Sequence, residues 1–181
     1  MIKKPEFSAH ETVYKRIFLL EELPPPLTRM DEHWQIFDDY TAWPEYRLRQ
    51  IRVPQTREWF RIKEEIDIAD AREEISRTLL PGEGGADNMH PDKEIRKNRY
   101  FYPDTELVID VFLGKLWGLI LAQVSFKDEK EAADFPPPEF ALMEVSDNKF
   151  FRGECLAEAN FEEVKAEFER LLATNYTNNT N

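Results

Sequence analysis

Charges recur at every second position in several short segments of this chain, and this spacing limits what the chain can fold into. Successive side chains of a β-strand point to opposite faces, so residues two apart share a face. Three segments carry such pairs of cations: Arg47 with Arg49, Arg61 with Lys63, and Lys97 with Arg99. If these faces line one cavity, cations surround it and few anions do. The spacing therefore predicts charged β-strands around an anion.

The composition favours one folded domain in the cytoplasm. The chain has 181 residues, of which 41% are hydrophobic and 13% aromatic, enough for a sizeable core. No apolar run reaches the about 18 to 20 residues that cross a bilayer, and no apolar stretch typical of a secretory signal follows Met1. A single cysteine, Cys155, excludes a disulfide framework and a cysteine-based zinc cluster.

The net charge of −12 bears on the partners that the chain can have. A strongly acidic chain repels nucleic acid and anionic lipid, so we expect neither a nucleic acid nor a membrane as partner. An anion site must then be a local basic pocket within an acidic surface.

The residue pattern predicts an α+β domain. Strands are expected at 11–20, 33–40, 46–53, 58–68, 95–102, 106–112 and 118–126. The segment from Asp70 to Leu80 is predicted to be a short helix, because Asp70 and Glu73 have the spacing of a capping box. Residues 81–93 are predicted to form a loop, and 127–135 and 161–172 two further helices. The strands are expected to be antiparallel and curved into a barrel, which collects inward-facing side chains in one interior.

Several segments occur together in a specific order and spacing. They are Arg-Leu-Arg-Gln from Arg47, Ile-Arg-Lys-Asn-Arg-Tyr from Ile95, Ile-Asp-Val-Phe from Ile109, and Gly-Leu-Ile-Leu-Ala-Gln-Val-Ser-Phe from Gly118. In this order they resemble the CYTH domain, the triphosphate tunnel group of thiamine triphosphatases, inorganic triphosphatases and class IV adenylyl cyclases. The resemblance covers roughly residues 11–157. It implies an antiparallel eight-stranded β-barrel or tunnel with a few flanking helices, in which basic residues hold a triphosphate and glutamates hold Mg²⁺ or Mn²⁺.

The resemblance also implies a domain division and a set of phosphate ligands. Residues 1–160 would form the tunnel domain, and 161–181 a C-terminal amphipathic helix with a polar tail. The matching basic residues are Arg47, Arg49, Lys63, Lys97, Arg99 and Lys149, and Arg61 is added because it shares a strand face with Lys63. Arginine offers planar bidentate donors to phosphate oxygens, and lysine offers a mobile point charge. The implied ligand is a phosphate-containing small molecule.

The first strand departs from the Glu-x-Glu-x-Lys pattern of the resemblance. Alignment on Lys15 keeps Glu11 and places Val13 at the second glutamate. Alignment on the following Phe-Leu-Leu instead places Val13, Lys15 and Ile17 at the three motif positions. The second alignment is favoured because it needs no gap.

The other expected acids are also largely absent. Val108 stands where the resemblance implies a glutamate, and Gln123 and Ser125 stand where it implies two more. Asp110 remains, and it is the candidate for a metal ligand or for orienting an arginine. Mg²⁺ takes oxygen ligands in octahedral geometry, so these replacements remove most of the protein's share of a Mg²⁺ or Mn²⁺ site.

The sequence therefore favours a basic tunnel that binds triphosphate, polyphosphate or a nucleotide, with metal-dependent catalysis weakened or lost. One alternative is an active metal-dependent triphosphatase that recruits its metal through other acids such as Glu65, Glu106 or Glu144. A second is a non-enzymatic structural or partner-binding domain. The C-terminal helix could cover one mouth of the tunnel or form the contact of a homodimer, and both alternatives stay open.

Overall fold

The computed structural model describes residues 4–70, 72–82 and 91–178, and in that part of the chain it shows a closed antiparallel β-barrel. The strands are β1 (His10–Leu20), β2 (His33–Asp39), β3 (Arg47–Val53), β4 (Glu58–Ala69), β5 (Arg72–Leu80), β6 (Glu94–Phe101), β7 (Val108–Leu113), β8 (Ile120–Phe126) and β9 (Met143–Glu144). They pair in the order β5-β4-β3-β2-β6-β7-β8-β1, and β1 also pairs with β5. This last pairing closes eight strands into a barrel, and β9 is added beside β1. The predicted eight-stranded barrel is confirmed.

The helix predicted from Asp70 to Leu80 is wrong, because this segment forms β5. It pairs with β4 along its whole length and with the first half of β1. Glu73, Ile75 and Arg77 alternate toward the barrel interior with the period of a strand. Asp70 is not a helix N-cap, since its φ of 57° lies in the left-handed region that tight hairpin turns use.

Helices flank the barrel at three places in the described chain. They are α1 (Glu129–Asp134), α2 (Gly153–Glu158) and α3 (Phe161–Asn178). α1 and α3 confirm two predicted helices, whereas α2 was not predicted. Asp128 caps α1 by accepting hydrogen bonds from two backbone N–H groups. Part of the predicted loop at 81–93 and the last residues of the tail lie outside the described residues.

Two large apolar clusters lie on opposite faces of the same strands. The first contains the inward-facing Leu19, Ile95, Phe112 and Leu121 together with residues of the α2 region. The second contains residues that alternate with these on the same strands and lies on the outer face: Phe18, Leu20, Ile109, Val111, Ile120 and Ala122. The first cluster closes one end of the barrel.

The chain regions around the barrel complete this closure. Phe151 and Leu156 of the α2 region pack into the first cluster, and Val164, Phe168 and Leu171 of α3 pack against it. The division into residues 1–160 and an appended helix stays a prediction. No helix in the described part of the chain has both the length and the apolar character needed to span a bilayer.

Candidate functional site

The barrel encloses a cavity of about 260 Å³, here called the lumen. Its lining comes from seven of the barrel strands and from the α2 region. The cations that line it are Lys15, Arg47, Arg49, Arg77, Lys97, Arg99 and Arg152. The structure thus brings together four residues that the sequence singled out, Arg47 and Arg49 on β3 and Lys97 and Arg99 on β6.

Arg61 and Lys63 share the outer face of β4, and the expectation that this face lines the cavity is wrong. Lys63 donates a hydrogen bond of 2.6 Å to Glu65 on the same outer face. Arg61 donates from Nη1 to the carbonyl oxygen of Pro81. The inward positions of β4 belong to the alternate residues, among them the buried Glu64.

Lys149 also lies away from the lumen. It begins a short 3-10 helix, Lys149–Phe151. It lines a separate surface groove with residues 144–148, Arg170 and Leu171. The structure does not bring it together with the cations of β3 and β6.

Asp110 is enclosed by cations. Its Oδ1 accepts from Arg99 Nε at 2.7 Å, and its Oδ2 accepts from Arg99 Nη2 at 2.7 Å, Lys97 Nζ at 2.8 Å and Gln123 Nε2 at 3.0 Å. The side chain is fully buried. Burial opposes its ionisation, but Arg99 and Lys97 outweigh burial and hold its pKa well below the ordinary value. Of the two roles foreseen for Asp110, the geometry matches the orienting of an arginine.

Two further buried carboxylates were missed by sequence reasoning. Asp38 on β2 accepts from Arg49 Nε at 2.6 Å and Nη2 at 2.7 Å. Glu64 on β4 accepts from Arg47 Nε at 2.9 Å and from Arg77 Nε at 2.8 Å. Both carboxylates are 1% exposed. The expectation of a lumen whose cations lack acidic partners is therefore wrong.

The pKa values of this network follow from burial and charge together. Burial of Asp38 opposes ionisation, but Arg49 and Arg47 overcome it and lower the pKa to about 2. Burial lowers the pKa of Lys97 to about 8, with Asp110 opposing the shift and Arg99 adding to it. The charge of Lys97 is therefore expected to fall at mildly alkaline pH.

The three arginines on β3 and β6 differ in how many donors they keep free. Arg47 uses Nε and Nη2 on Glu64 and donates from Nη1 to the Tyr40 hydroxyl at 2.9 Å. Arg49 and Arg99 each use only Nε and Nη2, on Asp38 and Asp110 respectively. Neither has an Nη1 partner among the residues that the structure describes. A carboxylate thus fixes one edge of each guanidinium and leaves the other edge available to a ligand.

Two further lumen cations, Lys15 and Arg77, are also paired with acids, whereas Arg152 donates a hydrogen bond to the carbonyl oxygen of Asp70. Lys15 on β1 bonds to Glu73 on β5. Glu73 lies opposite Val13 in the pairing of these two strands. Arg77 bonds to Glu11 in addition to Glu64. An acid on β5 therefore stands beside the position where the first strand lacks one.

Asp110, the expected ligand for Mg²⁺ or Mn²⁺, is occupied by hydrogen bonds from its neighbours. Both oxygens of Asp110 accept hydrogen bonds from cations, and the described residues contain no group of three or more His, Cys, Asp or Glu side chains arranged to hold a metal. Of the alternative acids, only Glu106 lines the lumen. Glu65 lies on the outer face of β4, and Glu144 pairs with Arg16 outside the lumen.

No protein-family model and no curated protein matches the sequence. Solved structures share its fold, among them two of the protein NE1496. The inorganic triphosphatase NE1496 is 20% identical with a TM-score of 0.52, and the match covers 81% of this chain and 95% of that one. A structure described as the hypothetical protein NE1496 is 21% identical with a TM-score of 0.53, covering 82% and 99%. The closed eight-stranded barrel with its charged lumen therefore has the CYTH-like tunnel fold.

Proposed function

We propose that the lumen binds a phosphate-rich anion and that metal-dependent catalysis is weakened or lost. The observation that carries this proposal is the clamping of Arg49 and Arg99 by Asp38 and Asp110. Each guanidinium is held on one edge, so an anion meets donors that are already oriented and loses little free energy to ordering them. Lys97, between these arginines in the charge network, supplies a third cation.

Carboxylates in the network reduce the net charge of the lumen but do not remove its capacity for an anion. Phosphate oxygens accept charge-assisted hydrogen bonds, which contribute about 1.5 to 3 kcal/mol each. The Nη1 groups of Arg49 and Arg99, which have no partner in the described chain, and the ammonium of Lys97 offer such bonds. Because the acids attract these cations too, the affinity should come from directed hydrogen bonds more than from net charge.

The first anion to test is inorganic triphosphate, since a solved protein with this fold is described as an inorganic triphosphatase. Thermal unfolding would be followed with triphosphate, with and without excess Mg²⁺ or Mn²⁺. A ligand that binds only the folded state adds about 2.7 kcal/mol of stability at a hundredfold excess over its dissociation constant. We expect stabilisation without metal.

Matched variants locate the binding. Arg49→Gln and Arg99→Gln should each weaken triphosphate binding about tenfold to a hundredfold, as expected for the loss of one charged donor. Arg52→Gln and Arg96→Gln remove arginines on the outer faces of the same two strands and should leave binding unchanged. Equal effects of inner and outer variants, or no stabilisation by triphosphate, would contradict the proposal. Stabilisation only with metal, with release of phosphate, would instead support an active triphosphatase.

A further inference from the structure

One side of the lumen is lined by aliphatic side chains. Their residues are Val13 and Ile17 on β1, Ile66 and Ile68 on β4, and Ile75 on β5, here called the aliphatic wall. These three strands are neighbours in the barrel, in the order β1-β5-β4. In a ring of eight strands in the observed order, β5 lies across from β6, which carries Lys97 and Arg99. The lumen therefore has an aliphatic wall facing a cationic one.

Two cations on the strands of the aliphatic wall, Lys15 and Arg77, are less available to an anion than Arg49 and Arg99 are. Lys15 is paired with Glu73, and Arg77 is held by Glu11 and Glu64. Arg49 and Arg99, in contrast, each keep an Nη1 without a partner in the described chain. A phosphate is therefore expected at the wall of β3 and β6. In the aliphatic wall, Val13 and Ile75 are buried, whereas Ile17, Ile66 and Ile68 are only partly buried and are left to meet another part of the ligand or water.

Aliphatic surface is poorly matched to an inorganic polyphosphate. Contact of apolar surface with water or with phosphate oxygens adds no binding free energy. Covering the same surface with hydrocarbon contributes about 25 cal/mol per Å² to binding. Small-molecule sites are typically lined by apolar residues with a few polar groups that fix orientation. The lumen has this mixed character, and its volume of about 260 Å³ suits a small ligand.

We propose that the ligand is an organic phosphate whose short hydrocarbon group contacts the partly buried residues of the aliphatic wall, Ile17, Ile66 and Ile68. Its phosphate binds Arg49, Lys97 and Arg99. This inference rests on the proposed function, because it places the anionic part of the ligand at the same cations. It adds that the ligand carries an apolar group, and so separates an alkyl phosphate from inorganic phosphates.

A homologous series tests the inference on the unaltered protein. Dissociation constants would be measured by calorimetry for inorganic phosphate and for methyl, ethyl, propyl and butyl phosphate. Burial of one methylene corresponds to a decrease of about fourfold in the dissociation constant. We expect a decrease approaching this factor at each added carbon until the lumen is filled.

The outcomes separate the two proposals. Equal dissociation constants along the series, with inorganic phosphate bound, would overturn the aliphatic contact and leave the anion site in place. Absence of binding by every member and by inorganic triphosphate would overturn both.

Variants provide a second, independent readout. Ile66→Thr keeps the branched shape but places a hydroxyl in the aliphatic wall, so the gain per carbon should fall while inorganic phosphate binds as before. Arg49→Gln should weaken all members by a similar factor and keep the gain per carbon. Leu48→Thr, on the outer face of β3, should change neither quantity. An Ile66→Thr protein that retains the full gain per carbon would contradict the inference.

Discussion

Glu64 and Glu65 are adjacent on β4 but lie in opposite environments. Glu64 is 1% exposed and bonds to Arg47 and Arg77. Glu65 is exposed and pairs with Lys63 on the outer face. Burial keeps water from replacing the carboxylate of Glu64, whereas water can replace that of Glu65.

This contrast predicts different losses of stability when the two carboxylates are replaced. Glu64→Gln should lower the free energy of unfolding by about 3 to 5 kcal/mol at neutral pH, because it leaves buried guanidinium charge unpaired. Glu65→Gln should lower it by less than about 1 kcal/mol, as is usual for surface ion pairs. Urea unfolding of the two variants measures both values. Similar losses for the two would show that the buried network contributes no special stability.

Sequence alternation predicts which residues share a strand face but not which face is inside. It grouped Arg47 with Arg49 and Arg61 with Lys63, and both groupings hold in the structure. A shift of one residue exchanges the two faces of a strand, and on β4 the inside is marked by Ile62, Ile66 and Ile68. These isoleucines alternate with the charged residues and were the signal that could have placed Arg61 and Lys63 outside.

At the scale of elements, β5 shows where local signals fail. Asp70 and Glu73 have the spacing of a capping box, and Ile75 and Leu79 have helical spacing. The segment nevertheless gains hydrogen bonds from two strands, β4 and β1, which an isolated helix of this length could not match. One of these partners, β1, lies far from β5 in the sequence, so the local spacing of residues could not reveal the pairing. The clamps formed by Asp38 and Glu64 depend on cross-strand register and were hidden for the same reason.

The contact between α2 and the barrel yields a prediction of its own. A Cβ added at Gly153 would lie 1.8 Å from the Tyr40 hydroxyl, which accepts a hydrogen bond from Arg47. Gly153→Ala should therefore displace either α2 or Tyr40, and it should lower the free energy of unfolding by about 1 to 3 kcal/mol.

Two further variants test the cause of this loss. Cys155→Ala changes an exposed residue of the same helix and should stay within about 0.5 kcal/mol of the unaltered protein. In the Gly153→Ala background, Tyr40→Phe removes the clashing oxygen and should recover part of the stability. Additive losses in the double variant, measured by urea unfolding, would rule out the clash as the cause.

For the whole molecule, the buried carboxylates predict how stability depends on pH. The pKa of Asp38 is about 2 in the folded protein, below its ordinary value of 3.8. The unfolded chain therefore takes up a proton first as the pH falls, and stability present above about pH 4 is lost toward pH 2. The contribution of Asp38 is about 2 kcal/mol. Glu64 and Asp110, whose pKa values are also lowered, add to the same decrease.

Unfolding free energies from pH 7 to pH 2 measure this slope. Asp38→Asn should make it shallower, and Asp39→Asn, at the next position of the same strand, serves as the control. An unchanged slope in Asp38→Asn would show that the Asp38–Arg49 pair does not link folding to protons.

The position of β1 between β5 and β8 sets the order in which the molecule can assemble. Tyr14 pairs with Phe126 and Leu20 with Ile120, so the first strand must wait for the eighth before its second half has a neighbour. Pairing between strands that are so far apart in sequence makes folding slow compared with proteins whose contacts are local. During synthesis, the hairpins β3-β4-β5 can form early, whereas β1 keeps an unpaired edge until more than a hundred further residues have emerged. Ring closure is thus the late step of folding, and it is the step that encloses Lys15 and its partners.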